Sequence, residues 1–203
     1  MNRVFVFAEW LYELLKLHFY WIVYILKGFV VLGIFPSTAA MYSVVRHWLR
    51  DEYHEEQSKL YKKFYSENFV VANIYGWMLT ATSGVIALNV LFIPYYTDTL
   101  KIIMYAIIIF FTILLIILWS YTFPVIAHYA LPTKNYFLVI LKTGVFSITA
   151  TIMQLLLLGI YLFIIYFFPP LVILFGITPF VIVQMAISNN IFRMVDRAPS
   201  KES

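Results

Sequence analysis

His47, Asp51 and His54 stand at i, i+4 and i+7, so on a helix two imidazoles and a carboxylate share one face, with Glu55 beside them. Nitrogen and oxygen ligands at that spacing can hold a divalent metal. A solvated helix face carrying two histidines is the preferred reading, because no further His or Cys cluster completes a site and the His-Glu-x-x-His helix of zinc peptidases is absent. Lys27 is the second candidate, a full charge well inside an apolar run from His18 to Val45. Intramembrane charge is costly and marks function by default, yet a lysine stem can also carry its ammonium out to the headgroups. Asn73, Asn89, Gln154, Gln184, Asn189 and Asn190 are amides in or near apolar stretches, where hydrogen bonding between helices is their ordinary role. Asn73 with Gly76 stands out, since a small residue lets a neighbouring helix approach beside the amide. His128 follows Phe123-Pro124 near an expected polar boundary, where a histidine can sense pH or simply occupy the interface.

Reaction chemistry finds little to build on. There is no cysteine, hence no disulfide, thiolate ligand or cysteine nucleophile. Gly-rich phosphate loops and Gly-x-Ser-x-Gly elbows are missing, and the later apolar runs hold no carboxylate for a proton relay. The chain is read as a non-enzyme, with no catalytic residue, no metal and no cofactor.

The elements that would carry these residues are bounded by charge. Asn68 to Thr97 contains no Asp, Glu, Lys or Arg, nor does Ile102 to Thr133, and Thr143 to Phe192 is a gap of 50 residues. As one helix that gap would extend about 75 Å, against a hydrocarbon core of about 30 Å. Pro169-Pro170 near its middle should fold it into a tight hairpin. The expectation is a single all-α membrane domain over 1–203, a polytopic helix bundle with about five transmembrane helices near 18–45, 69–93, 102–127, 143–168 and 171–192. Val4 to Leu17 reads as an interfacial helix, with Glu9, Glu13 and Lys16 on one face. Ile34 to Thr38 interrupts the first stretch, and Ser37 or Thr38 can cap a new helix there. Residues 46–68 form a charged cytoplasmic helical loop whose five basic and five acidic residues cancel.

Composition names the solvent. Of 203 residues, 63% are hydrophobic and 12% charged, against about 25% charged in a soluble domain. A water-soluble fold of this size cannot hide so much apolar surface, so the bilayer is the expected partner, and a soluble enzyme or nucleic-acid-binding domain is excluded. The net charge of +4 fits basic residues gathered on one side. Arg46, Arg50, Lys59, Lys62, Lys63, Lys134, Lys142, Arg193, Arg197 and Lys201 fall together, against Arg3, Lys16, Lys27 and Lys101. Ten against four makes the first group cytoplasmic, which with five spans puts the N-terminus outside and the C-terminus inside.

Two runs carry a family resemblance. One is Gly33-Ile34-Phe35-Pro36-Ser37-Thr38-Ala39-Ala40-Met41, continuing through Val44-Val45-Arg46 and Trp48-Leu49; the other is Phe64-Tyr65, Phe69, Ala72-Asn73 and Gly76. With Tyr121-x-Phe123-Pro124 and Ala127-His128-Tyr129, they make the chain resemble the YesL family of bacterial membrane proteins, a domain of unknown function. The resemblance implies a multi-pass protein of the bacterial cytoplasmic membrane, associated with carbohydrate uptake systems of the ABC type. It brings no catalytic residues. Gly33, Pro36, Ser37, Thr38, Arg46, Trp48, Asn73, Gly76, Phe123 and Pro124 become the candidate structural or interaction motif. Two functions are therefore carried forward: an accessory partner of a sugar importer, and a small autonomous transporter or channel in which Lys27 has the transport role.

Overall fold

The computed structural model describes residues 3–50 and 56–197, and the described residues are helical without a strand. Among the described residues eight α-helices follow one another: α1 (Arg3–Lys27), α2 (Ile34–Trp48), α3 (Gln57–Phe92), α4 (Asp98–His128), α5 (Tyr136–Phe146), α6 (Ile148–Phe167), α7 (Pro169–Phe175) and α8 (Thr178–Arg197). The all-α bundle expected from the charge spacing is what forms.

Breaks fall where the backbone has a reason to break. Pro94 sits in the short 3-10 turn between α3 and α4. Ser147 ends α5 and caps α6, its hydroxyl accepting from the Ala150 amide at 3.3 Å. Pro169-Pro170 follows the end of α6, and α8 then packs back against α6. Gly176 separates α7 from α8 at φ +55°, where a Cβ would also overlap the His18 ring.

The first apolar stretch differs from expectation. The helix of 4–17 and the start of the 18–45 span form one continuous α1, and the break comes at 28–33. Phe29 and Val30 there adopt φ of 53° and 65°, a region that side chains, β-branched ones above all, rarely occupy. Gly33 therefore stands at the start of α2, and neither Ser37 nor Thr38 caps it. Pro36, buried in the first turn of α2, is tolerated because amides there have no intrahelical partner.

Among the described residues, three helices are by length and composition alone long and apolar enough to cross a bilayer: residues 57–95, 98–128 and 148–167. The fifth expected stretch, 171–192, is divided at Gly176 into α7 and α8, and the fourth begins in α5 and continues past Ser147. The second half of the charged loop is not a separate excursion, since residues 57–68 are the first three turns of α3. Asp51, His54 and Glu55 of the metal-spacing candidate lie outside the described residues.

The core is aromatic and centred on α2. Phe35 meets Trp77 edge-on at 5.4 Å and stacks on Phe123 at 6.3 Å, and Phe123 stacks in turn on Tyr42 at 6.0 Å. Gly76 admits Phe35, for a Cβ there would fall inside that ring. A second cluster joins Tyr24 of α1 to Tyr61 and Tyr65 of α3, at 4.9 and 4.8 Å.

Candidate functional site

Where α2 ends, α4 ends and α3 is still in its charged first turns, the helices leave an open cleft of about 520 Å³. Arg46, Glu67, Asn68, His128, Tyr129 and Thr133 give it polar walls, and Phe64, Val71 and Ile126 apolar ones. Its frame is held by directed bonds. Arg46, in the last turn of α2 where a cation opposes the helix dipole, donates from Nη1 to the His128 carbonyl at 2.7 Å. Asn68 Nδ2 donates to Ser43 Oγ at 3.2 Å, joining α3 to α2.

The segment after α4 is pinned equally closely. Tyr136 donates to the Tyr129 carbonyl at 2.8 Å and accepts from the Leu131 amide at 3.2 Å. Tyr75 of α3 donates to the Thr133 carbonyl at 2.8 Å and accepts from the Phe137 amide at 3.1 Å. Tyr129 donates to Asp196 Oδ1 of α8 at 2.9 Å. Burial, then the adjoining carboxylate, pushes its phenol well above the usual range, so it remains a donor throughout neutral pH. The His128 ring lies on Phe192 at 4.3 Å, with Nε2 3.8 Å from Asp196 Oδ2. One cation, one carboxylate, an amide and hydroxyls beside aromatic rings suit reversible binding of a polar ligand. Among the described residues no group of three His, Asp or Glu could hold a metal ion.

The motif residues divide between this cleft and the core. Arg46 lines the cleft; Trp48 is half-buried against the core. Ser37 hydrogen-bonds Tyr61 Oη at 2.7 Å and donates to the Trp21 carbonyl at 2.8 Å, while Thr38 Oγ1 accepts from Trp21 Nε1 at 3.2 Å. These bonds bind α1, α2 and α3 together. Asn73 Nδ2 donates to the Leu32 carbonyl at 3.0 Å, fixing the turn before α2. Gly33 lies so close to the Ile25 carbonyl that only glycine fits. Lys27 is exposed in the last turn of α1, its Nζ 5.2 Å over the Tyr24 ring.

Pro124 has a consequence four residues back. It cannot supply the amide that would bond the Ser120 carbonyl, and Gln184 of α8 donates to that carbonyl at 2.9 Å instead. The same Gln184 accepts from the buried Tyr42 hydroxyl, and Ser188, one turn on, links to Gln154 Nε2 of α6 at 3.1 Å. Sequence reasoning gave these amides their interhelical role but passed over Tyr42, Tyr61, Glu67 and Asn68. A phenol buried in an apolar helix requires a partner, and a proline inside a helix identifies the carbonyl that lacks one. Those two signals would have found Tyr42 and the Ser120 carbonyl, the two groups that Gln184 serves.

Fold and cleft together define an apolar, all-α protein of membrane type whose polar residues bind helix to helix and frame one open end. Residues 14–90 match the family described as "Protein of unknown function, DUF624". The chain is 29% identical to YesV of Bacillus subtilis over 165 residues, covering 81% of this chain and 79% of that one. It is 27% identical to YteU of the same organism over 157 residues, 76% and 70% of the two chains, and 43% identical to YesL over 44 residues, 22% and 21%. All three are described as uncharacterised proteins. The YesL-like resemblance is thereby borne out. No solved structure matches. The segment 14–90 comprises most of α1, all of α2 and nearly all of α3, and so includes Arg46, Glu67 and Asn68 but not the opposite wall of the cleft.

Proposed function

We propose that this protein is a non-enzymatic membrane protein that acts through contacts at its polar end, with subunits of a bacterial carbohydrate ABC importer as the partner. The YesL-like resemblance supplies the partner. The observation that carries the mode of action is the use of the polar side chains. Ser37, Thr38, Tyr61, Asn73, Gln154 and Gln184 are each engaged with a neighbouring helix or turn, while at the cleft Glu67 stands exposed on α3. Lys27 lies exposed at the end of α1, which gives the transporter reading no support.

The topology that fits this reading differs from five crossings. α2 has 15 residues, about 22 Å at 1.5 Å per residue, too short for a core of about 30 Å. It lies back along α1 through Trp21, Ser37 and Thr38. Gln57 at the start of α3 reaches the Glu13 carbonyl at 3.5 Å, which favours the charged half of α1 sharing a side with Lys59, Lys62 and Lys63. In this reading α1 and α2 form a hairpin that enters and leaves by the cytoplasmic face, α3, α4 and α6 cross, and α8 runs back so that Asp196 meets Tyr129 on the cytoplasmic side.

Two experiments test the reading. Glu9→Cys and Lys59→Cys, introduced singly into this cysteine-free chain, should label only after the inner face is exposed; labelling from opposite faces refutes the hairpin. Purification from native membranes in mild detergent should bring down importer subunits, and Glu67→Arg at the cleft should lower their yield. Recovery of the protein without them, at wild-type expression, refutes the partner.

A further inference from the structure

The turn between α1 and α2 is made of residues that oppose its backbone. A reversal through left-handed conformations is ordinarily served by Gly or Asn. Here Phe29 and Val30 hold φ of 53° and 65°, where a side chain is costly and a β-branched one most of all. What those side chains touch must offset the cost, and it is not protein. Phe29 is 88% exposed, and Val30, Val31, Leu32 and Ile34 are exposed beside it. No polar side chain occurs from Gly28 to Pro36.

The backbone of this turn is prepared to leave water. Every amide from Gly28 to Ile34 donates to a carbonyl of the chain, among them Phe29 to Leu26 at 3.0 Å, Val30 to Ile25 at 2.9 Å and Leu32 to Gly28 at 3.1 Å. Asn73 Nδ2 of α3 donates to the Leu32 carbonyl. Irregular backbone is excluded from hydrocarbon because its polar groups go unpaired, and in this turn the donors are all paired.

The depth is read from α3. Tyr24 lies against Tyr65 at 4.8 Å, and Tyr65 stands between Lys63 and Glu67, the last charges before the apolar run. Lys27 holds its ammonium over the same Tyr24 ring at 5.2 Å. It therefore shares the level of those charges, where lysine and tyrosine meet headgroups. Beyond that level Leu32 meets Asn73, and Phe35 meets Gly76. Asn73 and Gly76 lie six and nine residues past Glu67, about 9 and 14 Å along a helix axis. Half of a hydrocarbon core is about 15 Å, so the tip ends within the leaflet it enters.

We infer that Gly28–Ile34 is a wedge immersed in the hydrocarbon of the cytoplasmic leaflet alone, with Lys27 at the phosphates of that leaflet. The choice of leaflet rests on the hairpin proposed above; the depth does not, and neither depends on the importer.

The test uses the full cysteine-free chain in vesicles of phosphatidylethanolamine and phosphatidylglycerol, with one introduced cysteine at a time carrying a fluorophore. Val31→Cys reports the tip, at a residue outside the left-handed pair. Ile74→Cys, exposed on α3 beside Asn73, gives the same depth on a regular helix, and Lys59→Cys gives the aqueous reference. A nitroxide midway along the acyl chain should quench the probes at 31 and 74 several-fold more than a nitroxide on the headgroup. Iodide in the water should quench the probe at 59 several-fold more than either. Phe29→Asn, which suits the left-handed backbone but not hydrocarbon, should move the probe at 31 toward the headgroup nitroxide. Equal quenching of that probe by the two nitroxides, or iodide quenching as strong as at 59, overturns the immersion. Weak quenching by all three agents also overturns it, because a second copy then covers the turn. An unchanged depth with Phe29→Asn overturns the role given to the side chains. A membrane-impermeant maleimide should reach Lys27→Cys from the inner face only. Reaction from the outer face overturns the choice of leaflet and the proposed hairpin together, whereas shallow quenching with inner-face reaction refutes the immersion and leaves the hairpin standing.

Discussion

Gly76 and Gly84 lie eight residues apart on α3 and answer to different solvents. A Cβ on Gly76 would enter the Phe35 ring, whereas around Gly84 there is nothing within 4 Å. The same contrast recurs on the other side of the molecule, where Gly144 is filled by Ile117 and Gly159 is open. Near Gly76 the helix is packed against protein, and beyond it Val85, Leu88 and Leu91 point outward. In water that second region would demand cover. In lipid it does not, because acyl chains are as apolar as the side chains they touch. What holds this bundle is therefore packing and polar links at one end.

The largest effect should come from emptying the packed region. Phe35→Ala removes the ring that Trp77, Trp119 and Phe123 surround, and should cost about 3–5 kcal/mol in denaturation in detergent. Gly76→Val should cost about 1–3 kcal/mol by forcing that ring aside. Made together, the two should be less than additive, because the smaller residue at 35 makes room for the larger one at 76. Simple additivity would mean that the two residues do not share the space the structure gives them.

The polar links rank next. Gln184→Leu removes the donor to the Ser120 carbonyl, which Pro124 has freed, and the acceptor of the buried Tyr42 hydroxyl. Two orphaned groups in a packed interior should cost about 1–3 kcal/mol. Pro124→Ala restores the backbone amide that can bond Ser120, so the cost of Gln184→Leu should shrink in that background. An unchanged cost would show that the carbonyl does not depend on Gln184.

Sequence and structure part company for physical reasons that these residues make plain. The all-α class followed from charge spacing because a bilayer requires every backbone group to be paired internally, and prolines 124, 169 and 170 act within their own neighbourhood. The break at 28–33 was not legible, since it runs through Phe29 and Val30, two residues whose types oppose a left-handed turn. Its cause is tertiary: Asn73 holds the Leu32 carbonyl, and Gly33 closes on Ile25. Arg46, Asn73 and Gly76 could be picked out as motif residues. Their division between cleft and core could not, because it depends on how α2 crosses α3 and α4, and an apolar run looks alike whether it faces protein or lipid.

The smallest effect tests that last point most directly. Gly84→Ala puts a methyl group where there is open space and removes a flexible residue from a helix interior, so it should leave stability unchanged or raise it by up to about 1 kcal/mol. Gly159→Ala on α6 should behave alike, measured in the same detergent titration as Gly76→Val. A loss of more than about 1 kcal/mol at either position would mean that another chain covers that face closely enough to exclude a methyl group. The contrast within α3 would then lie between two protein-packed regions, and the outer ends of α3 and α6 would be interfaces. A neutral or stabilising result at both, beside a clear loss at Gly76, assigns those ends to lipid.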